Sequence, residues 1–145
     1  MWADIANFYL NNPMNRYEYM KLPLDIIPEE VIQQYNIRNL SHKGIVYMEI
    51  QKGMYGLPQA GKIANDKLKL HLDKFRYEPE PITPGLCRHQ TCPLQFSLVV
   101  GDFGIKYESQ EDITHLLDAL KTIYKISKDW DGKLYCGLSL ECDYY

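Results

Sequence analysis

The twelve residues from Phe96 to Tyr107 constrain this chain more than any other stretch. They read as two short strands, Phe96–Val100 and Phe103–Tyr107, joined through Gly101-Asp102. The glycine permits positive φ and the aspartate tolerates a tight turn. Two readings stay open at this point: turn punctuation between buried strands, or a carboxylate presented for chemistry at a hairpin tip.

Met1-Trp2-Ala3-Asp4-Ile5 reads as an apolar strand with an aspartate inside it. A carboxylate in such a segment is costly unless paired or metal-bound, and otherwise sits at the strand end and caps the following turn. Phe8-Tyr9-Leu10 then runs into the turn signal Asn11-Asn12-Pro13. Tyr17–Leu22 and Ile45–Ile50 are expected strands, Pro28–Tyr35 a short helix with acidic residues in its first turn, and 39–44 a polar loop. Lys52–Gly61 is a shaped, glycine-rich loop, too apolar for a solvent linker.

Between Lys62 and Phe75, the positions Ala64, Leu68, Leu72 and Phe75 form one apolar helical stripe. Lys62, Lys67, Lys69 and Lys74 lie mostly off it, as a solvated face or as contacts to a phosphate backbone. Glu78–Gly85 holds three prolines and reads as a rigid connector. Ser109 and Asp112 have the spacing of a capping box, and Ile113, Leu116, Leu117, Leu120, Ile123 and Tyr124 follow with helical periodicity. Asp129–Gly132 is an expected turn and Leu134–Leu140 an expected last strand with Gly137 at its centre.

This order of elements implies an α+β fold, a mostly antiparallel sheet with helices on one face, and allows Asp4 and Asp102 to lie on neighbouring strands. Two carboxylates so placed form a hard oxygen site suited to Mg²⁺. The length of 145 residues is that of about one domain. The apolar share of 46% and charged share of 24% are those of an ordered globular chain. A net charge of −3 gives a nucleic-acid partner no support from total charge, although a local basic face is compatible with it. There is no signal peptide and no apolar run near the ~20 residues of a membrane span, so a soluble, intracellular, reduced protein is expected, cytoplasmic or nuclear. Cys87, Cys92, Cys136 and Cys142, with His89, match zinc-ligand spacing only loosely, against the alternative of incidental thiols.

Five segments, in order, resemble the reverse transcriptase domain of copia-type retrotransposons. Asp4-Ile-Ala-Asn-Phe-Tyr-Leu10 is similar to that family's first catalytic segment, and Tyr19-Met-Lys-Leu-Pro23 to the stretch after it. Lys52-Gly-Met-Tyr-Gly-Leu-Pro-Gln-Ala-Gly61 resembles the family's K-S-L-Y-G-L-K-Q-A segment and is the most specific match. Leu98-Val-Val-Gly-Asp-Phe103 stands where the family has L-Y-V-D-D, and Tyr135-Cys-Gly-Leu-Ser-Leu140 resembles its primer-gripping strand.

The resemblance implies a polymerase palm that performs two-metal nucleotidyl transfer with Mg²⁺ or Mn²⁺ on an RNA or DNA primer-template, using deoxynucleoside triphosphates. By the same resemblance Asp4 and Asp102 would be catalytic metal ligands, Tyr9 a gate under the sugar, and Gln59 a contact to the nucleotide or templating base. Gly137 and Leu138 would hold the primer end. The family's fingers segment and thumb would lie outside residues 1–145, making this a partial domain. The departure is Gly101, which stands where the first of two consecutive aspartates is expected and supplies no side-chain oxygen. Severe catalytic impairment is the expectation, with non-catalytic binding of nucleic acid or protein as the alternative.

Overall fold

A computed structural model of the chain describes residues 1–141. The central sheet contains β1 (Trp2–Ile5), β4 (Tyr77–Pro79), β5 (Leu86–His89), β6 (Gln95–Val99), β7 (Asp102–Lys106) and β8 (Ile126–Asp129), in the order β4-β5-β6-β7-β1-β8. A separate ribbon pairs β2 (Pro13–Pro23) with β3 (Ile45–Lys52), and a small hairpin pairs β9 (Leu134–Tyr135) with β10 (Leu138–Ser139). Every strand pairing among the described residues is antiparallel. With the four α-helices among the described residues, α1 (Glu29–Gln34), α2 (Ile37–Leu40), α3 (Pro58–Asp73) and α4 (Gln110–Lys121), the molecule has the expected α+β character.

The alternation of side chains in β1 and β7 decides where the core lies. Ala3 pairs with Phe103 and both are fully buried, while the next pair, Asp4 with Asp102, points to the other face and stays partly exposed. Onto the apolar face α3 brings Ala64, Leu68 and Leu72, and α4 brings Ile113, Leu116, Leu117 and Leu120. Phe96 and Phe103, with ring centroids 5.2 Å apart, form the centre of this layer. A smaller cluster of Ile32, Ile37 and Val46 joins α1 and α2 to the inner face of the ribbon. No described helix is long and apolar enough to cross a membrane.

Helix ends follow local chemistry. The Ser109 hydroxyl accepts from the Asp112 amide at 3.1 Å, and the Asp112 carboxylate accepts from the Ser109 amide at 3.2 Å, which is the expected capping box. Helix α3 begins four residues earlier than its stripe implied, because Pro58 supplies a favourable first position and turns the end of the glycine-rich loop into helix. Likewise α2 takes in Asn39 and Leu40 from the segment read as a loop, buried through Ile37.

Four further sequence readings are corrected. Strands β4 and β5 flank the proline connector, so only its middle is irregular. Strand β8 was not anticipated; Ile126-Ser-Lys-Asp129 carries little apolar signal, and its pairing with β1 supplies what composition does not. Leu134–Leu140 is not one strand, because Cys136 and Gly137 take φ of 50° and 77° and turn the chain between β9 and β10. At the β6–β7 turn the positive φ, 61°, falls on Val100 and not on Gly101.

Candidate active site

Asp4 and Asp102 stand directly opposite each other across the β1–β7 ladder on the face away from the helices. Strand alternation puts Trp2 and Asp4 on the same side of β1, and the indole Nε1–H of Trp2 donates to Asp102 Oδ1 at 3.1 Å. Partial burial, and then the like charge of Asp102, hold the Asp4 carboxyl above the ordinary aspartate range. A cation between the two carboxylates would relieve that repulsion.

The turn beside them is tightly built. Val99 pairs with Asp102, leaving Val100 and Gly101 as the two turn residues. A β-branched residue at positive φ is strained, by roughly 1–3 kcal/mol. The Ile5 amide donates to the Gly101 carbonyl at 3.0 Å and extends the β1–β7 contact past the carboxylates into the turn. Gly101 itself is buried: a Cβ there would stand 3.1 Å from Phe8 Cβ, 3.3 Å from Phe8 Cγ and 3.4 Å from the Ile5 carbonyl. Phe8, 3% exposed, belongs to the main core. The space that a side chain at 101 would need is therefore held by a core aromatic.

The other residues singled out by the sequence fall in three places. Tyr9 packs edge-on against Tyr55, with centroids 4.7 Å apart, and its carbonyl lies 2.9 Å from where a Gly53 Cβ would be. Tyr9, Gly61, Asn65, Lys69, Leu98 and Val100 share the wall of a cleft of about 330 Å³ between α3 and the hairpin tip, and neither carboxylate lines it. Gln59 donates from Nε2 to Glu18 Oε1 at 2.8 Å, tying the start of α3 to β2. Gly137 has open space where its Cβ would be, and Leu138 is 65% exposed at the β9–β10 turn.

That small hairpin docks on the carboxylate-bearing face through Tyr135. The Tyr135 and Ser97 hydroxyls are 3.0 Å apart, and a Cβ on Gly104 would lie 2.8 Å from Ser97 Oγ and 3.2 Å from the Tyr135 ring. Between hairpin and sheet is an open cavity of about 970 Å³ whose lining includes Trp2, Ser97, Lys106, Lys133 and Tyr135. Trp2, Ser97 and Gly104 were missed by sequence reasoning. The signal for Trp2 was present: it lies two residues before Asp4 on the same strand and must share its face.

The donor set decides what the site can hold. Asp4 and Asp102 could offer two hard carboxylates to one divalent cation, whose remaining positions water would have to fill. Position 101 supplies none, and the set does not suit a pair of ions. Among the described residues, no three His, Cys, Asp or Glu side chains converge on one point. The loose cysteine pattern does not form a zinc site among them: Cys87 is buried in the core, Cys136 is exposed on the β9–β10 turn, and Cys142 lies outside the described residues. His89 Nδ1 is occupied by the amides of Thr91 and Cys92, at 3.2 and 3.0 Å.

No family model, curated protein or solved structure matches the chain.

Proposed function

We propose that this chain is a reverse transcriptase-like palm of the copia type that has lost nucleotidyl transfer and keeps a two-carboxylate site for one Mg²⁺ or Mn²⁺. The observation that carries the reading is the direct cross-strand register of Asp4 and Asp102 beside a glycine at the turn. The two side chains would hold the ion, with water filling its remaining positions. A bound ion of this kind neutralises charge and acts as a Lewis acid toward phosphate oxygens. Without a third carboxylate, a second ion has no anchor, and in-line transfer between two metals has no geometric basis here. Tyr9, in its cleft behind the hairpin tip, and Gln59, tied to Glu18, are the residues proposed to face nucleotide and template.

Non-catalytic binding of a primer-template is favoured by one further observation. Lys128, which pairs with Ala3 and so lies on the face of β8 away from the two carboxylates, sits over the Trp130 ring at 4.6 Å and pairs a cation with an exposed aromatic suited to stacking on a base.

Primer extension and duplex association on the same protein test the reading. No extension with Mg²⁺ or Mn²⁺ is expected, together with salt-sensitive binding of a primer-template at low ionic strength. Extension by the unaltered chain would overturn the loss of transfer. Absence of binding at low salt would remove the nucleic-acid partner.

A further inference from the structure

We infer that Trp2 is a positioning residue for the carboxylate pair, its indole N–H fixing one oxygen of Asp102 so that the carboxylate is presented toward Asp4 in a single orientation. The inference rests on the reading that Asp4 and Asp102 hold a divalent cation.

The geometry follows from register. Trp2 pairs with Gly104 and Asp4 pairs with Asp102, so Trp2 and Asp102 are diagonal neighbours on one face of an antiparallel pair. Diagonal neighbours lie within reach of aromatic side chains. Gly104 puts no side chain opposite Trp2, and the place of its Cβ is closed off by Ser97 and the Tyr135 ring. The indole reaches along the strand and donates to Asp102 Oδ1 at 3.1 Å. This is the one side-chain hydrogen bond that Asp102 makes among the described residues. At position 101, just before it, there is no side chain to share the task.

A carboxylate left free beside a like charge rotates away from it, and a cation must then pull it back. One held by a second-layer donor is already in place, and loss of such donors typically weakens metal binding by about 10–100-fold. Trp2→Phe keeps the aromatic ring and removes the N–H, so it isolates this effect from packing.

Mn²⁺ titration of the full chain, followed by the electron paramagnetic resonance signal of free Mn²⁺, is the test. One ion per chain is expected, with affinity about tenfold or more weaker in Trp2→Phe and an unchanged melting temperature. Equal affinity in the two proteins would overturn the role of Trp2 and leave the site standing. Failure of the unaltered chain to bind Mn²⁺ would overturn both. Should Trp2→Phe not fold, the indole ¹⁵N–¹H resonance of Trp2 decides: it must shift in Asp102→Asn and on adding Mn²⁺, and a resonance indifferent to both overturns the inference.

Discussion

The two faces of the central sheet are built on opposite terms. On the helix side, each strand position of β1, β6 and β7 that turns inward meets an apolar partner, with Ala3, Phe96 and Phe103 at 0–1% exposure. One residue along the same ladder, the sheet presents two like charges to each other, an indole tied to one of them and a glycine with no side chain. Hydrophobic burial tolerates no vacancy and needs no particular chemistry, whereas the open face is held by a few directional contacts. The lesson is that the fold is secured by one face and leaves the other free to change its chemistry without unfolding.

Phe103→Ala makes the largest break in that comparison. Its ring is fully buried against Phe96, and removing it leaves a cavity between the sheet and both helices, with an expected loss of about 3–5 kcal/mol. Denaturant unfolding checks this. Its neighbour across the face, Asp102→Asn, is expected to move stability by well under half as much. Equal losses would mean that the open face also carries the fold.

Gly101→Asp acts where the two faces meet. The new Cβ falls 3.1 Å from Phe8 Cβ, so a core ring must move before a carboxylate can enter the site. Overpacking of this kind costs about 1–3 kcal/mol. The variant is expected to melt at lower temperature than the parent and to show no primer extension. A variant as stable as the parent would show that Phe8 yields freely and that the vacancy at 101 is chemical and not steric.

How much of this was written in the sequence differs by face. The core side was legible, because the stripes of α3 and α4 and the alternation through Ala3-Asp4-Ile5 and Phe103-Gly104-Ile105 specify an apolar layer with Asp4 opposite it, whereas Asp102, read as a turn residue, is instead the first residue of β7. Partners were not legible where pairing supplies the stability. Polar β8 is a strand because β1 lies beside it, and β9 and β10 separate because Cys136, an unusual residue for a turn, takes positive φ with Gly137. The Trp2–Asp102 bond joins residues a hundred positions apart and depends on a diagonal register that no local window contains. The departure at Gly101 was visible as a missing oxygen, but the occupation of its space by Phe8 was not.

Proton linkage gives the smallest effect and separates the faces by sign. On the helix side, His89 is 8% exposed and its Nδ1 accepts from two backbone amides. Burial first, then the neighbouring His115, depress its pKa below the ordinary 6.5; Arg76 acts the same way, while the Phe75 carbonyl and Asp112 oppose it. The unfolded chain therefore binds a proton that the folded chain refuses, so the His89 contribution is present above pH 6.5 and is lost as pH falls from there through its folded value. Asp4 runs the other way. Its folded pKa lies above 3.8, so the folded chain takes up the proton first, and the contribution is complete below 3.8 and lost as pH rises through the folded value. Melting curves from pH 7.5 to 3.5 on the parent, His89→Asn and Asp4→Asn resolve the two, since the amide oxygen introduced by His89→Asn can accept where Nδ1 did. His89→Asn is expected to lose part of the decline below pH 6.5. Asp4→Asn is expected to melt above the parent at neutral pH, with the gap closing as Asp4 protonates. A gap that stays constant across the range would mean that the charge of Asp4 is not what strains the open face, and the case for a cation between the two carboxylates would lose its electrostatic support.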